Sequence, residues 1–111
     1  ELHDAGDELV HMGEAPHLAA VVDPFPLDLL RQRWAGEPFM VVTDGSPSTK
    51  ATLGTNAVHV SARFDPRTQT VIALAAIDNL AKGASGGAVQ AANVALGLPE
   101  TAGLQRVAVA P

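Results

Sequence analysis

The sequence contains no cysteine among its 111 residues. A chain without cysteine forms no disulfide and no thiolate metal site, and it carries no thiol nucleophile of its own. It also has no apolar run close to the roughly 20 residues that cross a bilayer. Its first residues do not follow the charged-then-apolar pattern of a secretory signal. We therefore expect a cytoplasmic protein that does not bind membranes.

Positive charge is also scarce, with seven Lys and Arg against twelve Asp and Glu and a net charge of −5. Domains that bind nucleic acid carry a basic stripe or patch, so this composition predicts no nucleic-acid partner. Apolar residues make up 47% of the chain and charged residues 17%. These values are typical of a globular protein, and the length suits a single domain with a modest core.

The most informative part of the sequence is the junction at Asp78 and Asn79, where an apolar run (71–77) meets a run of small residues. A short apolar run with several β-branched residues predicts a strand that is buried on both faces. Asp and Asn side chains bond nearby backbone groups, so both residues favour turns and helix caps. We therefore expect a buried strand that ends at Asp78 and a helix that starts just after Asn79.

The predicted helix contains three glycines near its start, Gly83, Gly86 and Gly87. Each glycine costs a helix about 1 kcal/mol relative to alanine, which indicates that another group comes close to the backbone there. Two kinds of group fit this position: a neighbouring helix or sheet, and an anion or cofactor at the helix start. Gly83 and Gly87 also share one helix face with Ala91 and Ala95, which predicts a smooth packing surface.

The rest of the chain reads as short strands, turns and one further helix. The predicted elements are a helix at 27–34, strands at 37–42, 57–64, 70–77 and 106–110, and a β-turn at 65–68. Strands 57–64 and 70–77 form an antiparallel hairpin, because the Asp-Pro turn joins them directly. This order predicts an α+β fold, with a mixed, mainly antiparallel sheet and helices packed on one face. The half-polar face of strand 57–64, which carries His59, Ser61 and Arg63, is then exposed to solvent or covered by a second subunit.

Three of the four histidines lie near the beginning of the chain, at His3, His11 and His17, with Glu14 between them. Such a cluster raises the possibility of a metal site, because histidine and carboxylate side chains are common zinc ligands. The spacings of eight and six residues do not place the side chains on one face of a helix or strand. We therefore predict no metal site.

Several blocks around the junction closely resemble the C-terminal signature of the N-acetyl-gamma-glutamyl-phosphate reductase family. That family belongs to the aspartate-semialdehyde-dehydrogenase-like reductases. The matching blocks are Ala76–Leu80, Lys82–Gly86, Ala88–Gln90 with Asn93, and Gly97–Leu104. Shorter matches at Glu37–Phe39, Ser48–Ala51 and Gly54–Asn56 extend the resemblance over most of the chain, from about Trp34 to Leu104.

The resemblance implies that residues 27–111 are the C-terminal α+β dimerisation and catalytic domain of such a reductase. In that family the domain packs against an N-terminal nucleotide-binding domain, which this chain lacks. Pro16-His17-Leu18 also matches the family, but the arginine-glycine strand that follows it there is missing here. We therefore expect residues 1–26 to be an irregular segment that is truncated or rearranged.

The family reduces N-acetyl-glutamyl 5-phosphate, an acyl phosphate, to N-acetyl-glutamate 5-semialdehyde with NADPH in arginine biosynthesis. The reaction needs a cysteine nucleophile and a base, and neither family residue has a counterpart in this chain. The chain alone is therefore expected to be inactive, with no catalytic residue of its own. By resemblance, its cofactor-binding residues are Asn79, which approaches the nicotinamide amide, together with Lys82, Gly83 and Gly86.

Two alternatives share the same fold. The chain could be a non-catalytic dimerisation module or relic of that fold, which kept the sheet and lost the chemistry. It could also belong to a sister enzyme that acts on an aspartyl or aminoadipyl phosphate. Substrate choice depends on pocket residues, most of which lie outside this chain.

Overall fold

A computed structural model describes residues 24–108 of the chain. Its elements in chain order are helix α1 (Pro24–Arg33), strand β1 (Met40–Val42), a 3₁₀ turn (Thr49–Thr52), strands β2 (Val58–Asp65) and β3 (Thr70–Ala76), a π-helical turn (Ala81–Ser85) and helix α2 (Gly86–Ala95). The three histidines and Glu14 of the metal hypothesis lie outside the described residues.

The three strands form one mixed sheet in the order β1-β2-β3. β1 runs parallel to β2, with Val42 opposite Val60, and β2 runs antiparallel to β3, with Ala62 opposite Ala73. Asp65 pairs with Thr70, so the hairpin closes through the Asp-Pro turn that the sequence predicts. The α+β fold class and the mixed, mainly antiparallel sheet are confirmed.

Helix α1 begins at Pro24, three residues before its predicted start, so residues 24–26 do not belong to an irregular segment. Proline is tolerated in the first turn of a helix, because the N–H groups there have no intrahelical acceptor. Pro24 and Pro26, which the sequence suggests as a helix breaker and as a suitable first helical residue, therefore both lie in the first turn of α1. The chain leaves the helix at Gly36, whose φ of 81° is the left-handed conformation expected after a helix.

In the described part of the chain, strand β3 is not buried on both faces, so the prediction from its apolar sequence is wrong there. Only Ala76, the last residue of β3, is buried, while the six residues before it are exposed. The reason is that helix α1 packs mainly on β2 and β1, and β3 lies beyond it at the edge of the sheet. The apolar run therefore reports a surface that the described part of this chain does not cover.

The interior of the described residues is small and contains many polar side chains. Its buried apolar residues are Leu27, Phe39, Ala57, Ala62 and Ala76. Its buried polar residues are Thr52, Thr55, Asn56, Ser61 and Asn93. Buried polar groups are stable only when they are hydrogen-bonded, so much of this interior depends on specific polar contacts.

Helix α2 packs on a different face from the one that its small residues predict. The buried residues of α2 are Gly86 and Asn93, and Gln90 lies half-buried between them. Gly83, Ala91 and Ala95 of the predicted stripe are exposed. The helix therefore packs through one glycine and two amide side chains rather than through the stripe.

Two further features of the described residues bear on the sequence predictions. Residues 106–108 are not in a strand, so the predicted terminal strand is absent over the part of it that the structure describes. Between Pro24 and Ala108, no helix is long and apolar enough to cross a membrane.

Removal of the Asn93 side chain is expected to lower the free energy of unfolding by about 1–3 kcal/mol. Asn93 Nδ2 donates to the backbone oxygens of Glu100 at 3.1 Å and Ala102 at 3.0 Å, and Asn93→Ala leaves both acceptors without this donor. Urea unfolding measures the change. Val94→Ala, at an exposed position on the same helix, should stay within about 0.5 kcal/mol. Equal losses in the two variants would contradict the assigned role of Asn93.

Candidate functional site

The Asp78 carboxylate organises the junction between β3 and the glycine-rich segment. Oδ1 accepts hydrogen bonds from the backbone N–H groups of Leu80 and Ala81, both at 2.8 Å, and Oδ2 accepts one from Gly54 N–H at 2.8 Å. These backbone hydrogen bonds, led by the one from Gly54, lower the pKa of Asp78 below its ordinary value, because they favour the charged carboxylate. Asp78 therefore fixes the helix start against the turn that precedes β2.

The chain enters helix α2 through a π-helical turn. Gly83 N–H donates to Asp78 O at 2.9 Å and Ser85 N–H donates to Leu80 O at 3.1 Å, each spanning five residues. Gly86 N–H donates to Ala81 O in the same pattern. Single π-turns of this kind occur frequently at functional sites. The wider turn moves the start of α2 sideways relative to a regular helix.

Gly86 and Gly87 are required by groups of the chain itself. A Cβ atom at Gly86 would lie 2.4 Å from Asn56 Oδ1 and 2.9 Å from the carbonyl oxygen of Ala81. A Cβ atom at Gly87 would lie 2.7 Å from the carbonyl oxygen of Lys82. The prediction that a group approaches this backbone closely is confirmed, and that group is the Asn56 amide together with the carbonyls of the π-turn.

A line of polar side chains connects Asn56 to Glu100 in the segment after helix α2. Asn56 Nδ2 donates to Gln90 Oε1 at 2.9 Å, and Lys82 Nζ donates to the same oxygen. Gln90 Nε2 in turn donates to Glu100 Oε2 at 2.6 Å. The Lys82 ammonium also lies 5.6 Å from the centre of the Phe39 ring, within the range of a cation–π contact. Lys82 is thus tied to the fold rather than extended into solvent.

A cavity of about 220 Å³ opens beside this line, between the turn before β2, the start of α2 and the segment after it. Its lining residues, all uncharged, are Gly54, Asn56, Ala81, Ser85, Gly86, Val89, Gly103, Leu104 and Gln105. Asn56 Oδ1 is buried and has no hydrogen-bond partner among the described residues. The cavity therefore has a mixed polar and apolar wall beside a buried amide oxygen.

The four residues of the predicted cofactor site lie in one short segment, but they do not all line the cavity. Gly86 lines the cavity, whereas Lys82 points to Gln90. Asn79 is exposed, and its Oδ1 would lie 3.3 Å from a Cβ atom at Gly83. Asn79 and Gly83 therefore form an exposed pair at the entry to the π-turn, apart from the cavity.

Sequence reasoning did not identify Glu100 as part of this site, and it gave Asn56 only as part of a Gly-Thr-Asn triplet that could orient a substrate but is more typical of a turn entering a strand. Glu100 follows Pro99, beyond the end of α2. Neither residue has a local pattern that indicates a long-range partner. For Gln90 and Asn93 the sequence did indicate hydrogen-bond partners, since buried amides in an apolar helix must be hydrogen-bonded. Between Pro24 and Ala108, no group of three or more His, Asp and Glu side chains could hold a metal ion.

Comparison with known proteins gives a consistent set of relatives. A family model described as the semialdehyde dehydrogenase dimerisation domain matches residues 17–79. The N-acetyl-gamma-glutamyl-phosphate reductase of Frankia casuarinae is 57% identical over 86 residues, which cover 76% of this chain and 25% of the relative. The reductase of the same name from Acidothermus cellulolyticus is 51% identical over 84 residues, which cover 74% and 24%. The one from Bradyrhizobium sp. is 52% identical over 85 residues, which cover 77% and 26%. The chain thus spans about a quarter of the length of these curated relatives.

Replacement of Asp78 by Asn is expected to destabilise the fold at neutral pH, and the effect should fade in acid. The lowered pKa means that the charged carboxylate stabilises the native state at pH values above the unfolded value of about 3.9. This contribution is lost as pH falls through the lower native pKa. Urea unfolding of Asp78→Asn and the parent chain, at pH 7 and below pH 4, measures the difference.

Glu37→Gln, which neutralises an exposed carboxylate in a turn, is the control for the Asp78 experiment. It should change the free energy of unfolding little at either pH. A destabilisation by Asp78→Asn that is as large in acid as at pH 7 would show that the carboxylate charge is not what holds this junction.

Proposed function

Because the chain belongs to the semialdehyde dehydrogenase dimerisation-domain family, we propose that it supplies this domain to an NADPH-dependent reductase. The proposed enzyme converts N-acetyl-glutamyl 5-phosphate to N-acetyl-glutamate 5-semialdehyde in arginine biosynthesis. The observation that carries this proposal is the 57% identity to a reductase of that name over three quarters of the chain. We place the enzyme in the cytoplasm, where the substrates of amino-acid biosynthesis are found.

The residues at the start of α2 fit a nicotinamide cofactor in their chemistry. Asn79 offers an exposed amide, which can both donate to and accept from a carboxamide. Lys82 supplies a positive charge that suits the phosphates of NADP. Gly83 presents backbone without a side chain, and Gly86 lines the cavity beside the unpartnered Asn56 oxygen. We propose that these four residues hold the cofactor.

The chemical steps are divided between this chain and the rest of the enzyme. A bound NADPH supplies hydride. The chain contributes an orienting amide at Asn79 and a cation at Lys82, and its Asp78 hydrogen bonds keep both on a fixed turn. The cysteine nucleophile and the base that the family reaction needs come from sequence outside this chain, because the chain contains no cysteine. The chain alone is therefore inactive in this proposal.

The sheet supports the proposal that the domain forms a homodimer. Val71, Ala73 and Ala75 of β3 lie on the same sheet face as Val60 and Ala62 of β2. Ala75 pairs directly with Val60 and Ala73 with Ala62, and Val71 lies two residues before Ala73 on the same strand. All five side chains are apolar, and Val71 is 56% exposed. The opposite face carries Arg63 and Ser61 of β2 beside the exposed Ile72 and Leu74 of β3, so it mixes charged and apolar side chains. A second copy that packs on the apolar face would bury it, and the family description names dimerisation as the role of this domain.

Helix α2 presents a second uncovered apolar surface, which we assign to the nucleotide-binding domain of the same enzyme. The helix carries no charged residue, yet Val89 and Val94 are exposed, as are Leu96 and Leu98 just after it. Apart from Gln90 and Asn93, α2 contains only apolar residues and glycine, and a surface helix normally carries charged or polar residues on its solvent face. The match to the dimerisation-domain model ends at residue 79, so this surface lies outside the matched part.

The two alternative functions have less support. A sister enzyme for an aspartyl or aminoadipyl phosphate, and a non-catalytic module, both fit the fold. The relatives at 51–57% identity, however, are named N-acetyl-gamma-glutamyl-phosphate reductase. We therefore keep the acyl-phosphate reductase as the proposed function.

A chimaera tests the proposed function directly. In the reductase of Frankia casuarinae, the matched segment is replaced by the corresponding residues of this chain. The chimaera should reduce N-acetyl-glutamyl 5-phosphate with NADPH at a rate within about tenfold of the parent, since the domain is proposed to be equivalent. Asn79→Ala in the chimaera should raise KM for NADPH by roughly two- to tenfold, the value of one hydrogen bond.

Gln32→Ala, which removes an exposed amide from helix α1, is the matched control and should leave KM unchanged. The unfused chain is the second control and should show no activity above buffer. A folded, dimeric chimaera without activity would overturn the reductase assignment. An unchanged KM in Asn79→Ala would remove Asn79 from the cofactor site.

The proposed dimer is tested by two neighbouring substitutions on β3. Val71→Glu places a charge on the apolar sheet face and should raise the dimer Kd by about thirtyfold or more, equivalent to about 2 kcal/mol. Ile72→Glu places the same charge on the opposite face and should change Kd much less. Sedimentation velocity over a concentration series measures both. Dissociation by Ile72→Glu rather than by Val71→Glu would assign the contact to the other face and contradict the proposal.

A further inference from the structure

The charges of Lys82 and Glu100 determine which atoms of Gln90 donate hydrogen bonds and which accept them. A carboxylate can only accept hydrogen bonds, and an ammonium group can only donate them. Gln90 touches both: its Nε2 donates to Glu100 Oε2 and its Oε1 accepts from Lys82 Nζ. The reverse orientation of the Gln90 amide would place N–H groups against the ammonium and a carbonyl oxygen against the carboxylate. Glu100 and Lys82 therefore fix Gln90 in one orientation.

The fixed orientation of Gln90 extends to Asn56. Because Gln90 presents Oε1, Asn56 must present Nδ2 to it, at 2.9 Å. Asn56 Oδ1 then faces Gly86, in agreement with its distance of 2.4 Å from a Cβ atom built there. Asn56 is 1% exposed, and its Oδ1 has no hydrogen-bond partner among the described residues. Donor and acceptor chemistry alone therefore sets the orientation of the Gln90 and Asn56 amides between Glu100 and Lys82.

The same contacts limit where the Lys82 ammonium can go. Lysine has a long flexible side chain, which normally extends its charge into water. Here the ammonium is held by the Gln90 carbonyl on one side and lies near the Phe39 ring on another. Only one of its three N–H donors is used by Gln90, and the side chain is half-buried rather than enclosed. The charge is therefore fixed in place but still has donors to offer.

We propose that Glu100 and Gln90 are positioning residues that hold the Lys82 ammonium for an anionic group of the bound dinucleotide. Glu100 acts through Gln90, since its carboxylate orients the amide that binds Lys82. The identity of the anion rests on the proposed function, whereas the positioning itself is a property of this chain. The two parts can be tested separately.

The positioning is tested in the 111-residue chain by NMR spectra of the lysine ammonium groups. The chain has only two lysines, Lys82 and Lys50, and Lys50 is exposed on the 3₁₀ turn and serves as the internal reference. Lys82→Met assigns the signal. In the parent chain the Lys82 ammonium protons should exchange with water about tenfold more slowly than those of Lys50, the effect of one charge-assisted hydrogen bond. Gln90→Leu should remove this difference.

Two substitutions at Glu100 separate orientation from simple charge. Glu100→Ala removes the acceptor that orients Gln90 and should bring Lys82 exchange close to that of Lys50. Glu100→Gln removes the charge but keeps an oxygen that can accept from Gln90 Nε2, so it should retain most of the protection. Backbone amide spectra verify that each variant is folded. Equal protection of Lys82 in the parent, Gln90→Leu and Glu100→Ala would overturn the positioning, as would loss of protection in Glu100→Gln equal to that in Glu100→Ala.

The role toward the cofactor is tested in the active chimaera by KM for NADPH and kcat. Glu100→Ala and Lys82→Met should each raise KM severalfold or more with a smaller change in kcat, and Glu100→Gln should restore KM toward the parent value. An unchanged KM in Lys82→Met would overturn the cofactor role of Lys82 while the NMR result on positioning stands. If NMR shows no slowed exchange at the Lys82 ammonium while the chimaera is active, this inference is overturned and the proposed function stands.

Discussion

The three hydrogen bonds to the Asp78 carboxylate are the interaction on which the candidate site depends. They join the end of β3, the turn before β2 and the first residues of the π-turn, which are separate in sequence. Together with the Asn56–Gln90 hydrogen bond, this link sets the position of the start of α2 relative to the sheet. The same contacts lower the pKa of Asp78, because three N–H donors favour the ionised carboxylate.

From this fixed start, the polar interior of the small domain follows. The π-turn sets the helix so that Gly86 faces Asn56, and the absence of a side chain at Gly86 lets the Asn56 amide reach Gln90. Farther along α2, Asn93 closes the contact with the segment after the helix. Amides thus do the packing that apolar side chains do in larger cores. Each amide requires particular partners, so this packing specifies one arrangement more strictly than apolar contacts would.

The sequence predicts what is local and fails where partners are distant. Asp78 could be identified as a cap because its Leu80 and Ala81 partners are two and three residues away, whereas Gly54 lies 24 residues earlier. Close approach at Gly86 could be expected from the cost of glycine in a helix, but nothing in the sequence names Asn56 as the approaching group. The roles of Asn79 and Lys82 toward a cofactor rest on family resemblance and stay predictions.

The error over β3 has a physical cause that also explains the exposed surfaces. An apolar run reports that a strand is buried in the functional assembly, and it carries no information about which chain buries it. In the described part of this chain, Val71 and Leu74 on opposite faces of β3 and Val94 on α2 are all exposed. A hydrophobic surface of that extent is unfavourable in water, so contacts that the described residues do not make would stabilise it. The burial that the sequence predicts and the exposure that the structure shows are therefore compatible if such contacts cover β3. The family match, to a dimerisation domain, agrees with a contact of this kind.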